Sequence, residues 1–154
     1  MAKWGKEELT EKIIGACIKV HKTLGPGFLE IIYLNALLIE LKNLGFLCES
    51  EKEIRVIYEG SLIGIHKIDL LIDGEIIVEL KAVEELNKKH YAQIRSYLSA
   101  LNLPLGLLVN FASYKLDVRR VEKVPGGVNA NRESSPFRRS IPPFSMKKVL
   151  YFVL

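Results

Sequence analysis

No apolar run in the 154 residues approaches the ~18 that a membrane span requires, so no transmembrane helix is expected. The start, Met1-Ala2-Lys3-Trp4-Gly5-Lys6-Glu7-Glu8, has charges but no apolar segment, which argues against a signal peptide there. Cysteine is scarce. Cys17 and Cys48 stand far apart, outside any CxxC or Cys/His cluster, which excludes a zinc site or a dithiol redox motif and fits a reducing, cytoplasmic setting. No internal repeat is visible. Excess charge of one sign is also missing where a binding groove would need it. Of 22 basic and 18 acidic residues, five basic and one acidic lie beyond Val124, so residues 1–124 hold 17 of each. The net charge of +4 and the pI of 9.0 belong to the tail and do not by themselves imply a basic groove on the rest.

What remains is ordinary for one globular domain: 49% hydrophobic and 26% charged residues. Ile13, Ile14, Cys17, Ile18 and Leu24 recur at helical spacing and predict a helix from Glu7 to Leu24, broken by Gly25-Pro26-Gly27. A second helix is predicted from Leu29 to Leu44, with Ile32, Leu37, Leu38 and Leu41 on its buried face and Gly45 as its stop. The period then changes. Glu53 to Tyr58, Ser61 to Ile72 and Glu75 to Lys81 read as three strands joined by the turn signals Glu59-Gly60 and Asp73-Gly74, an antiparallel meander. Asn87 to Ala100 returns to helical spacing. Leu105 to Asn110 is apolar throughout, as in a strand buried on both faces, and Val118 to Val124 reads as a fifth strand. A helix between two strands implies that the fourth strand joins by a crossover.

The expected fold is therefore of the α/β (α+β) class, in the order ααβββαββ, with a mixed central sheet flanked by helices over residues 1–124. Residues 125–154 are expected to form a basic tail rich in Pro, Ser and Gly. Its apolar end, Val149 to Leu154, would dock on the sheet edge or on a partner, including a second copy of the chain.

The chemistry concentrates in Ile68-Asp69-Leu70-Leu71-Ile72-Asp73-Gly74-Glu75-Ile76-Ile77-Val78-Glu79-Leu80-Lys81. Side chains alternate along a strand, so Glu79 and Lys81 share a face while Ile76, Val78 and Leu80 occupy the other. The Asp73-Gly74 turn folds Asp69 back toward Glu79. Two carboxylates in an apolar sheet raise each other's pKa, and a hard cation such as Mg²⁺ or Mn²⁺ relieves that repulsion through oxygen ligands. Lys81 would then orient water or stabilise charge on a phosphate. The ordinary alternative is a carboxylate–lysine pair on a solvated face. The apolar surroundings argue for a central strand, where charges are rarely placed without use.

Asp69, nine intervening residues and Glu79-x-Lys81 resemble the signature of the PD-(D/E)XK nuclease superfamily, with Ile68 in place of its proline. Gly27-Phe28-Leu29-Glu30-Ile31-Ile32-Tyr33 resembles the GxxExxY protein family within it, as do Val20 to Gly27 and Val78 to Val83. Gln93-Ile94-Arg95-Ser96-Tyr97 is similar to the Gln-x-x-x-Tyr motif of the RecB-like branch. The resemblance spans about residues 10–122. It implies a restriction-endonuclease-like core and a Mg²⁺- or Mn²⁺-dependent nuclease acting on nucleic acid, with DNA as the expected substrate. It further implies that Asp69, Glu79 and Glu30 bind metal, that Lys81 is the catalytic lysine, and that Gln93 and Tyr97 line the same site. Tyr33 is a candidate accessory residue, three positions after Glu30. Lys67, Arg95 and Arg119-Arg120 are candidate phosphate contacts. His21 and His66 lack an obvious ligand partner in the sequence. The rival from another class is a noncatalytic nucleic-acid- or protein-binding module that keeps the fold.

Overall fold

The computed structural model describes residues 5–124 and, as backbone only, residues 149–153. The expectation of a loose tail over 125–148 lies outside the described residues. Chain order is α1 (Lys6–Leu24), α2 (Glu30–Asn43), β1 (Cys48–Tyr58), β2 (Ser61–Ile72), β3 (Ile76–Lys81), α3 (Lys88–Leu101), β4 (Leu105–Asn110), β5 (Asp117–Glu122) and β6 (Val149–Val153). The expected ααβββαββ order is present, with one further strand. All six strands form one mixed sheet in the order β5-β4-β3-β2-β1-β6.

The turns fix this topology. Glu59-Gly60 and Asp73-Gly74 both adopt positive φ at two consecutive residues, the left-handed conformation that tight hairpins need. β1, β2 and β3 consequently run as an antiparallel meander. α3 then carries the chain over, and β4 pairs with β3 in parallel, Glu79 opposite Leu108 and Lys81 opposite Asn110. The C-terminal segment, for which a sheet edge and a partner were both open, pairs antiparallel with β1 from Ile54 to Tyr58.

Two apolar layers cover the sheet. On one face α1 and α2 bury Leu9, Ile13, Val20, Tyr33, Leu37 and Leu41 against Leu70, Ile72, Ile76, Val78, Leu80, Leu107 and Val109. On the other, α3 buries Ile94, Tyr97 and Leu98 against Ile54, Ile68, Leu71, Ile77, Leu108 and Val121. The expected buried face of α2 is rotated: Tyr33, Leu34, Leu37 and Leu41 are buried, whereas Ile32 is exposed. Tyr33 sets that rotation by stacking on Phe111 with ring centroids 4.6 Å apart.

β1 begins at Cys48, five residues before the strand expected from the sequence. The extra length contains an irregularity. Ser50 pairs with Leu70 and Lys52 with Ile68, but Glu51 and Asp69 are left unpaired, and Glu51 has φ 52°. Alternation breaks at this point. Leu70 and Ile72 face α1 and α2, while Ile68, which strict alternation would place beside them, faces α3.

α3 packs closely against the sheet at Gly106. A Cβ added there would lie 2.9 Å from Ile94 Cδ1 and 3.1 Å from the Ile77 carbonyl oxygen. Gly106→Ala should therefore lower unfolding free energy by about 1–3 kcal/mol in urea titration. Adding Ile94→Val removes the closest atom, so the double variant should lose less than the two single losses combined. Strict additivity would contradict the close packing of α3 at this point.

Candidate active site

Asp69 and Glu79 meet where the sheet opens. The β2–β3 ladder runs through Ile72↔Ile76, Leu71↔Ile77 and Leu70↔Val78 and then stops. Carboxylates take over from the missing ladder bonds. The Asp69 backbone N–H donates to Glu79 Oε1 at 3.1 Å, and the Leu80 N–H donates to Asp69 Oδ2 at 2.8 Å. Each strand thus closes its exposed backbone donor with an acid from the other. Asp69 is partly accessible, whereas Glu79 is only 2% exposed.

That burial has an electrostatic consequence. Loss of solvent pushes the Glu79 carboxyl up to about 9; the Asp69 charge and a hydrogen bond between the two side chains push the same way, and the backbone N–H of Asp69 and the charge of Lys81 oppose them. A proton or another cation is needed to hold two carboxylates this close.

Lys81 and the α3 face complete the surroundings. Lys81 Nζ donates to Gln93 Oε1 at 3.1 Å. Burial, followed by the charge of Glu79, pushes the Tyr97 hydroxyl up to about 12, while a hydrogen bond with the Gln93 side chain partly opposes this. Gln93 and Tyr97, one turn apart on α3, thus lie on the side of the helix toward Lys81 and Glu79.

Glu30 reaches the C-terminal end of β3 from the first turn of α2. Its Oε1 accepts the Ala82 backbone N–H at 3.3 Å, next to Lys81 and apart from the Asp69–Glu79 pair. Among the described residues no three His, Cys, Asp or Glu side chains form a group able to hold a metal ion. The expected three-acid convergence is therefore not present in this structure; Asp69 and Glu79 alone are adjacent. Those two still suit a hard divalent cation, which accepts one or two carboxylates and fills its sphere with water. The Glu79 pKa is raised first by burial and then by the Asp69 charge, and a bound cation would offset both.

Tyr33 is placed elsewhere. It is fully buried, its hydroxyl donates to the Gly25 carbonyl at 2.6 Å and accepts from the Phe28 N–H at 3.2 Å. It pins the loop that leads into Glu30. Neither cysteine is a nucleophile candidate: burial pushes Cys17 up to about 12 and Cys48 up to about 11. Lys67 and Arg95 are exposed, with the Arg95 guanidinium 5.9 Å from the Tyr91 ring centroid. Arg119 is paired with Asp117 at 2.7 Å.

Two polar residues near the site, Asn110 and His90, escaped the sequence reading, and His66, which that reading left without a partner, gains an aromatic neighbour. His66 packs edge-on against Tyr97, with centroids 5.5 Å apart, a contact created by the break in alternation at Asp69. Asn110, 1% exposed, holds the loop after Lys81 by accepting from the Val83 N–H and donating to the Val83 carbonyl. His90 lies at the start of α3, where both Lys81 and Glu30 act on it electrostatically. The helical spacing of His90 to Gln93 and Tyr97 was the one available signal for it.

A family model described as PD-(D/E)XK nuclease superfamily matches residues 7–121, three-quarters of the chain. Comparison with curated proteins and with solved structures found no match.

The Glu79 shift gives stability a sign. The folded carboxyl holds its proton to about pH 9, whereas an ordinary one releases it near 4.5. Between those values the native state binds more protons than the unfolded chain, so this group's contribution is complete below the lower value and is lost as pH rises through the upper one. In chelator, the melting temperature of Glu79→Gln should therefore gain on that of the unmodified protein between pH 6 and 9. Parallel pH profiles would contradict the assignment.

Proposed function

Because the chain belongs to the PD-(D/E)XK nuclease superfamily, we propose that it is a divalent-metal-dependent nuclease that hydrolyses phosphodiester bonds, with DNA as its substrate. The observation that carries this reading is the Asp69–Glu79 pair, with Glu79 buried and the Lys81 ammonium bonded to Gln93. Within the superfamily we place it with the GxxExxY proteins, on Gly27, Glu30 and Tyr33, and in the RecB-like branch, on Gln93 and Tyr97. No described helix is long and apolar enough to cross a membrane. The two unpaired cysteines suit a reducing compartment, on which we assign the protein to the cytoplasm.

Asp69 and Glu79 would hold Mg²⁺ or Mn²⁺, with Glu30 assisting from the end of β3. When bound, the ion would lower the pKa of a water and polarise a phosphoryl oxygen. The protein supplies the rest. Gln93 fixes Lys81 Nζ so that the ammonium can donate to the attacking water or to a charged phosphate oxygen. Tyr97, kept neutral by burial, supports Gln93 from one turn further along α3. The apolar layer beneath, including Ile77 and Leu108, keeps the site's electrostatics strong by excluding solvent from one side.

One observation favours a second reading. Glu30 is engaged by the Ala82 backbone instead of standing with the other two acids, which suits a binding module that has kept the fold without the reaction.

Incubation of purified protein with single-stranded, duplex and branched DNA and with RNA, in Mn²⁺ or chelator, separates the two. The nuclease should cut in Mn²⁺ alone, and Lys81→Ala and Glu79→Ala should each reduce the rate by about 100-fold or more. Binding without cutting would favour the module. Cutting that survives both substitutions would place the chemistry elsewhere.

A further inference from the structure

Among the described helices only α2 turns an apolar side to solvent. α1 exposes Glu7, Glu8, Glu11, Lys19 and Lys22, and α3 exposes Lys88, Lys89 and Arg95, as surface helices ordinarily do. α2 has no charged residue from Ile31 to Ile39. Its buried side is set by Tyr33, Leu34, Leu37 and Leu41. At about 100° per residue the opposite side carries Ile32, Asn35, Ala36 and Ile39, with Ile31 on its flank. The three isoleucines are exposed, Ile39 by 62%. Leu29, one turn before Ile32, extends the stripe and is 73% exposed; Phe28 beside it is exposed as well.

The extent of this surface is that of an interface. At these exposures the five apolar side chains present on the order of 400–500 Å², near the upper end of what a monomer leaves open. Matched by an equal area from a partner, the total comes to about 1,000 Å², the least that a specific interface ordinarily buries. Polar groups stand at the margin, with Lys42 and Asn43 at one end and the Lys19–Glu40 ion pair, at 2.9 Å, alongside.

The order of residues says what the partner is. Ile32 and Ile39 lie two turns apart on either side of a centre made of Asn35 and Ala36. Two such helices laid antiparallel about a two-fold axis between Asn35 and Ala36 set Ile32 of each copy against Ile39 of the other. Leu29 then meets the aliphatic stem of Lys42. The small centre lets the helices approach, and the two Asn35 amides fall beside the axis, where each can hydrogen-bond the other. The stripe is thus complementary to itself, which identifies a second copy of this chain as the surface that covers it.

We propose that the protein forms a homodimer through the outward side of α2, the two helices antiparallel and in contact at Ile32 and Ile39. This is independent of the nuclease reading.

Sedimentation velocity across a wide concentration range tests it. The unmodified protein should pass from monomer to dimer. Ile39→Glu buries an unpaired charge in the seam and should raise the dissociation constant by about 100-fold or more. Ile39 is exposed in the monomer, so the variant should fold, and circular dichroism at low concentration checks this. Ile18→Glu makes the same change at an exposed isoleucine of α1 and should leave the dimer intact. Register is read by combining Ile32→Lys with Ile39→Glu. In the antiparallel pair each lysine meets the other copy's glutamate, so the double variant should regain about ten-fold or more of the affinity lost in Ile39→Glu. A parallel pair would set like charges together and regain none.

A protein that stays monomeric at every concentration, or a dimer untouched by Ile39→Glu, would overturn the proposal. Dissociation by Ile18→Glu as strong as by Ile39→Glu would overturn the assignment to α2. A double variant no tighter than Ile39→Glu would overturn the antiparallel contact of Ile32 with Ile39.

Discussion

Two carboxylates that cannot both be charged without help stand where the central sheet opens. Asp69 and Glu79 each accept a backbone N–H from the opposite strand, so they serve as the last rungs of the β2–β3 ladder while competing for a proton. Their two tasks are linked. If the strands stayed fully paired beyond Leu70↔Val78, the backbone would satisfy itself and the acids would be free to turn away. Because the strands part there, the acids are required for backbone satisfaction, and the fold holds them together despite their repulsion.

The neighbouring elements follow from that constraint. β3 must be central to bury Glu79, which the parallel pairing with β4 achieves. α3 must cross close to the sheet to bring Gln93 against Lys81, and Gly106 permits that approach. α2 must begin near the end of β3 to deliver Glu30, and Tyr33 fixes the loop that leads there through both polar contacts of its hydroxyl. Among the described residues no buried side-chain nitrogen or oxygen lacks a partner.

Much of the site could be read from the sequence because its geometry is local. The Asp73-Gly74 turn fixes the hairpin, and strand alternation then brings Asp69 toward Glu79 and puts Lys81 on the same face. Helical spacing likewise joins Gln93 to Tyr97. The same rules fail at Glu51 and Asp69, where both strands change face together. His66 and Ile68 arrive beside Tyr97 and the α3 layer, although uninterrupted alternation would send them to the other side. The charged run Glu49 to Glu53 also conceals the first part of β1, because its strand character comes from pairing with β2 and not from its own side chains. The separation of Glu30 from the acidic pair depends on how two distant elements pack, which a motif cannot report. His90 offered only its helical spacing to Gln93 and Tyr97, because an imidazole acquires meaning through the Asn87 cap and the neighbours that fix it.

We propose that Asp69 and Glu79 form a cation site whose buried carboxyl retains a proton until an ion displaces it. Calorimetric titration of Mn²⁺ into the metal-free protein near pH 7.5, in two buffers of different ionisation enthalpy, measures both the binding and the proton at once. The expected result is saturable binding with release of about one proton, abolished in Asp69→Asn. Absence of binding, or binding by Asp69→Asn equal to that of the unmodified protein, would contradict it.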